Sequence, residues 1–250
     1  MTTSRKKQAL IIFFEDRNRD KVKDVLTNSL SEDQKTELYR AFLTDTISNC
    51  LGLVDVDIRI SYLPGPMADI VKDTVNALTK STTGKAQKML KSDNFKLVES
   101  EGKDVGERIS KASEKLFAAG YDRVVMIGCV TPTLPRKTIQ TAFKRAEKYD
   151  LVIGPTLEGS YYLFGLHQPR PDLFAKIDWS DDTTVYSQIT SVCEQDGIEW
   201  NELDLWYDLR QPGDIEFLVR DINHYRIVGD ETSAVRTEQV LEEILKDLPS

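Results

Sequence analysis

Two histidines and three cysteines are all that this 250-residue chain offers to thiol or soft-metal chemistry. His167 and His224 lie in no ligand or triad spacing. Cys50, Cys129 and Cys193 are odd in number and far apart, which fits neither a disulfide framework nor a zinc pattern. That cysteine usage points to a reducing cytoplasm. No apolar run reaches the length that spans a membrane. The basic start, Met1 to Lys7, leads into Ala9 to Phe14, and Glu15 and Asp16 then break the run. It reads as a strand, not a signal peptide. Positive charge is short as well: 33 Lys and Arg stand against 41 Asp and Glu, leaving −8. Such a chain is a poor non-specific binder of nucleic acid or anionic membrane. Internal repeats, linkers and low-complexity blocks are all missing, so one domain over residues 1–250 is the simplest organisation. A hydrophobic content of 40% suffices for a real core.

What is present is organised around Arg123 to Leu166. Val124 to Ile127 is an apolar run of buried-strand length. Gly128 to Pro135 ends it, and Pro135 suits the first turn of a helix. Ile139, Ala142, Phe143 and Ala146 then recur at helical spacing. A second apolar run, Leu151 to Ile153, enters Gly154-Pro155-Thr156-Leu157-Glu158-Gly159-Ser160-Tyr161, which leads to Leu166. The pattern is strand, loop, helix, strand, loop, strand. Open α/β sheets form their ligand crevice at such loops, beyond the carboxyl ends of the strands.

Elsewhere, Ser31 caps a helix with Leu38, Phe42, Leu43, Thr46 and Ile47 inward. Val54 to Leu63 alternates as a strand with one polar face, ended by Pro64-Gly65-Pro66. A helix over Met67 to Leu78 follows, and Lys80 to Asn94 reads as an irregular loop. Phe95 to Val98 is a short strand. Ile109, Ala112, Leu116 and Phe117 mark a helix closed by Gly120. The Ser180 region caps a helix carrying Val185, Ile189 and Val192. Ile198 to Leu205 reads as a strand, and a loop from Trp206 enters a helix with Ile215, Leu218 and Val219. Glu231 to Leu248 is an amphipathic helix. The charged stretch Glu15 to Lys23 is either a solvated loop or a phosphate-contacting one.

Several segments in order resemble the glycosyltransferase-like family linked to arsenosugar biosynthesis, and more distantly the molybdenum-cofactor guanylyltransferases. They are Lys21-Val22-Lys23, Leu38 to Asp45, Asp104 to Ile109, Ile127 to Leu134, Gly154 to Leu166, Asp178-Trp179-Ser180 and Asp208 to Ile215. The resemblance spans nearly the whole chain. It implies the GT-A nucleotide-diphospho-sugar transferase fold: a single α/β domain with a mixed, mostly parallel sheet flanked by helices. The implied activity is transfer from a nucleotide-activated donor, with a nucleotide sugar ahead of plain nucleotidyl transfer.

The departures fall on the chemistry. In that family a carboxylate after the central strand helps hold a divalent cation, Mg²⁺ or Mn²⁺, against the donor diphosphate. Val130 stands there, and Arg210 stands at a second ligand position. No metal ligand is therefore assigned. Glu158 and Asp208 are the catalytic candidates. Lys21, Lys23, Arg108, Gly128, Val130 and Arg210 are the nucleotide- and phosphate-binding candidates. Gly159, Tyr161 and Trp179 are the candidates for an acceptor pocket. Arg108 also reads as an ordinary ion pair, and Tyr161 and Trp179 as packing residues. Arg210 supplies a fixed positive charge where the cation would sit. The alternative function is a degenerate GT-A domain that binds a ligand or partner without turnover. Gly128, Val130, Glu158 and Asp208 are expected to line one cleft.

Overall fold

A computed structural model describes residues 7–14, 30–209, 214–229 and 234–247. Lys21, Lys23 and Arg210 lie outside the described residues. Strands β1 (Gln8–Phe14), β2 (Val56–Tyr62), β3 (Phe95–Glu99), β4 (Arg123–Gly128), β5 (Leu151–Pro155), β6 (Tyr161–Leu166) and β7 (Trp200–Glu202) form one sheet in the order β3-β2-β1-β4-β6-β5-β7. Only β6 runs antiparallel to its neighbours, β4 and β5. The remaining pairings are parallel.

The apolar runs bury both faces, as parallel sheets require. Leu10, Ile12 and Phe14 of β1 face one core; Ala9, Ile11 and Phe13 face the other. β4 divides in the same way, Val125 and Ile127 against Val124 and Met126. The first core is covered by α1 (Glu32–Cys50), α2 (Pro66–Ser81), α3 (Gly84–Leu90), α5 (Arg136–Arg145), α8 (Asp214–Val228) and α9 (Val235–Asp247). The second is covered by α4 (Val105–Ala118), α6 (Pro171–Phe174) and α7 (Val185–Asp196). Each fully buried Leu, Ile or Phe contributes roughly 1.5–3 kcal/mol. The expected mixed, mostly parallel sheet flanked by helices is what forms.

The strand order reverses at β1. The chain leaves β1 for β2 and β3 on one side, then returns to place β4 on the other. Such a switch point is where the ligand crevice of an open sheet opens.

Some local expectations fail, each for a physical reason. Lys80 to Asn94 is not an irregular loop: α2 runs to Ser81 and α3 fills 84–90. Leu90 is buried, and the Gln87 side chain donates to the Thr79 carbonyl at 2.9 Å. Ser180 does not cap α7. Asp181 caps a short 3-10 turn over Asp182–Thr184, and Thr184 stands at the helix start. Val54 precedes β2 and is 73% exposed. The strand read over Ile198 to Leu205 shortens to Trp200–Glu202. Val219 faces outward, while Leu218 and Ile222 are buried.

Candidate active site

The carboxyl ends of β4 and β5 point the same way, because both run antiparallel to β6. Three loops therefore meet at one end of the sheet. The central loop, Gly128 to Pro135, follows β4; the segment 156–160 follows β5; the segment 203–209 follows β7.

Backbone contacts lock them together. Leu209 N–H donates to the Val130 carbonyl at 3.3 Å, Trp206 N–H to Pro155 at 3.2 Å, and Leu157 N–H to Trp206 at 3.3 Å. Gly128, Val130, Glu158 and Asp208 are thus brought to the same end of the sheet. Val130 and Asp208 are buried, and Gly128 and Glu158 are half-buried.

The central loop is held by side chains that the sequence pattern did not single out as functional. Asn49 of α1 donates its side-chain amide to the Leu134 carbonyl at 2.7 Å, and Thr46 its hydroxyl to the Cys129 carbonyl at 3.5 Å. Arg136, the first residue of α5, donates back to the Asn49 carbonyl at 2.9 Å. From the other side, the hydroxyls of Thr133 and Tyr207 share a hydrogen bond of 2.5 Å. Tyr225 of α8 donates to the Thr133 carbonyl at 3.2 Å. Burial, and then the nearby Asp221 carboxylate, push the Tyr207 phenol well above its ordinary range. It is a neutral strut beside Asp208. Thr133 lay in the matched segment Ile127 to Leu134; for Thr46 the sequence signal was polarity on the otherwise buried inner face of α1.

The segment after β5 is a tight turn. Thr156 N–H donates to the Ser160 carbonyl at 3.0 Å, and Ser160 N–H to the Thr156 hydroxyl at 3.1 Å. Gly159 has φ +83°, and a Cβ there would lie 2.2 Å from the Thr183 carbonyl oxygen. Its own carbonyl accepts from Tyr186 N–H at 3.0 Å. Gly159 thus has a backbone task, tying the Glu158 turn to the start of α7.

A second neighbourhood opens on the α4 side. A cavity of about 500 Å³ is lined by Lys103, Asp104, Arg108, Asp178, Trp179 and Ser180, among others. Arg108 is buried and Lys103 exposed. Trp179 reaches the cavity but is itself only 7% exposed, and its indole N–H donates to the Phe174 carbonyl at 3.0 Å. Tyr161 stacks on Phe164 at 4.2 Å and meets the edge of Trp179 at 5.9 Å. Tyr161 and Trp179 are therefore packing residues, and Trp179 also walls the cavity. Arg108 and Trp179, expected to serve phosphate and acceptor, share it.

The fold has counterparts among solved structures. The chain is similar to a candidate nucleotide-diphospho-sugar transferase from Desulfovibrio desulfuricans G20, with a TM-score of 0.74 and 24% identity over 97% of this chain and 98% of that one. The fold is that of nucleotide-diphospho-sugar transferases. It is also shared, at a TM-score of 0.52 and 14% identity, with a 4-diphosphocytidyl-2C-methyl-D-erythritol synthase from Anaerococcus prevotii DSM 20548, over 85% of this chain and 94% of that one. A cytidylyltransferase from Leptospira borgpetersenii serovar Hardjo-bovis (strain JB197) gives a TM-score of 0.51 at 10% identity over 99% of both chains. A family described as "Uncharacterized protein conserved in bacteria (DUF2064)" matches residues 68–181. That span takes in Arg108, the central loop, Glu158 and Trp179 and stops short of Asp208. No curated protein matches the chain. No helix among the described residues is long and apolar enough to cross a membrane.

Proposed function

We propose that the chain is a transferase acting on a nucleotide-activated donor, with a nucleotide sugar as the preferred class. The carrying observation is the meeting of Val130, Glu158 and Asp208 at the carboxyl end of the parallel strands, beside the switch point at β1. Glu158 sits on a turn fixed at both ends, which suits a carboxylate that orients or deprotonates an acceptor hydroxyl. Asp208 is buried beside the strut Tyr207 and sits against the central loop.

A divalent cation is the usual partner of a diphosphate leaving group, and the donor set fits one poorly. The Val130 side chain has no ligating atom and packs into the core. Glu158, Asp208 and Asp221, the last 3.5 Å from the Thr133 hydroxyl, are acids near the central loop, but no three acids, histidines or cysteines among the described residues gather into a metal-holding group. We therefore read the site as metal-independent. Arg210, next in sequence to Leu209, carries the compensating charge in this reading, with Lys21, Lys23 and Arg108 adding to it. Guanidinium holds phosphate oxygens bidentately and stays protonated. The roles of Lys21, Lys23 and Arg210 rest on sequence alone. The apolar Val130 also supports the second reading, a domain that binds its ligand without turnover.

Calorimetry with a panel of nucleoside diphosphates and nucleotide sugars separates these readings. Binding is expected to survive EDTA and to weaken at least tenfold in Arg210→Ala. A requirement for Mg²⁺ or Mn²⁺ would refute the charge substitution. Failure of every nucleotide to bind would refute the transferase reading itself. Once a donor is known, turnover that persists in Glu158→Gln assigns the domain another base, and binding without any turnover establishes the second reading.

A further inference from the structure

The amino end of the sheet, opposite the candidate active site, holds a separate cavity of about 200 Å³. Gln8, Val56 and Arg123 are the first residues of the adjacent strands β1, β2 and β4, and they stand in one row there. The cavity lies over that row, between the last turns of α5 and the segment leading into β2. One wall is apolar, built from Leu53, Val54 and Phe143. The other carries charge, from Arg123, Lys144 and Glu147.

Arg123 is the anchor. It is 6% exposed, far below what is normal for arginine. Its guanidinium bonds the Glu147 carboxylate and reaches the Phe143 carbonyl at 3.3 Å. Its Nε is buried and has no hydrogen-bond partner among the described residues. Leaving a buried donor unmet costs about 1–3 kcal/mol, and more for a charged group. Arg123 and Lys144 against Glu147 leave one positive charge at the cavity. A void of roughly 150 Å³ takes a benzene-sized ligand, so this one has room for a small organic molecule. The observations together specify a single negative charge at one end and a compact apolar body at the other.

We propose that this cavity is a second ligand site, taking a small monocarboxylate with a branched apolar tail. The carboxylate meets Arg123 and Lys144, and the tail rests on Leu53, Val54 and Phe143. β4 and α5 each start or end at this cavity and carry the central loop at their other ends. The occupant therefore sits one strand length from the candidate active site without sharing a residue with it.

The test titrates 3-methylbutanoate into the full chain by calorimetry, with no nucleotide present, so its outcome is independent of the transferase reading. Saturable binding is expected, with 3-methylbutanamide, the neutral isostere, at least tenfold weaker. Val54→Trp, made from the exposed rim, fills the mouth and is expected to weaken binding at least tenfold. Lys144→Ala removes one cation and is expected to weaken it severalfold. Circular dichroism confirms that both variants fold. No saturable binding, equal binding of the amide, or unchanged affinity in Val54→Trp overturns the site. Tighter binding of inorganic phosphate than of 3-methylbutanoate overturns the assignment to a monocarboxylate.

Discussion

A single missing Cβ sets how closely α4 approaches the aromatic wall of the candidate site. A Cβ on Gly106 would lie 2.3 Å from the Trp179 indole nitrogen and 2.9 Å from the Phe174 carbonyl oxygen. Those two atoms are the donor and acceptor of the hydrogen bond that fixes Trp179. Gly106→Ala is therefore expected to break that bond or push α4 off the wall, costing roughly 1–3 kcal/mol. Urea denaturation and tryptophan fluorescence check it; an unchanged midpoint and an unchanged emission spectrum would show that α4 packs differently. The sequence reading singled out Asp104 to Ile109 for Arg108, and the physical reason for the glycine beside it was invisible, because Trp179 is 73 positions away. Glu158 became a candidate only through the resemblance, as the acid of the matched segment Gly154 to Leu166; an acid before a glycine by itself reads equally as a turn residue. Gly159, read as part of an acceptor pocket, spends its conformational freedom on the approach of Thr183.

Asp45 shows the same limit at the level of elements. It sits on the inner face of α1, and sequence offered only its place in a matched segment. Its carboxylate accepts from Arg236 N–H at 3.1 Å and from both the N–H and the hydroxyl of Thr237 at 2.6 Å. It thus caps α9 from a helix nearly two hundred positions away. Burial holds its pKa above the usual carboxylate range, against the Thr237 and Arg236 hydrogen bonds that favour the charged form. Asp45→Ala strands three donors at the start of α9, the two of Thr237 buried and that of Arg236 partly so, for an expected loss of about 1.5–3 kcal/mol. Hydrogen exchange should show the α9 amides opening more readily than those of β1. Equal protection of α9 in the variant and the parent chain would refute the cap. Elements with strong period, such as β1, β4 and α5, were legible because burial alone dictates their pattern. α3 was not, because one buried leucine and a side-chain bond to Thr79 hold a turn that has no apolar stripe. β7 was over-read, because only the stretch paired with β5 stays in the sheet.

Across the whole molecule, the sequence foretold which loops would share one end of the sheet, since alternating strands and helices force parallel neighbours. It could not foretell the cavity at the other end, which depends on the register that aligns the first residues of β1, β2 and β4. A further property emerges only from the assembled fold: its tyrosines are tied down on several elements. Burial first, then a hydrogen bond to Asp57, pushes Tyr121 up to about 12. Burial, then Glu202, pushes Tyr186 up to about 12. Tyr162 and Tyr207 are displaced in the same direction, again chiefly by burial. In the unfolded chain these phenols ionise near their ordinary value of about 10. The native state therefore keeps protons that the unfolded state loses, and their stabilising contribution is full below pH ~10 and drains away as pH rises through the native values. Urea midpoints should hold level on their account up to about pH 10 and fall between pH ~10 and ~12. Tyr186→Phe removes one titrating group and should make the fall shallower. A folded chain whose phenolate absorbance titrates fully at the ordinary tyrosine pKa, or a Tyr186→Phe variant with the parent's slope, would show that these contacts do not bear on alkaline stability.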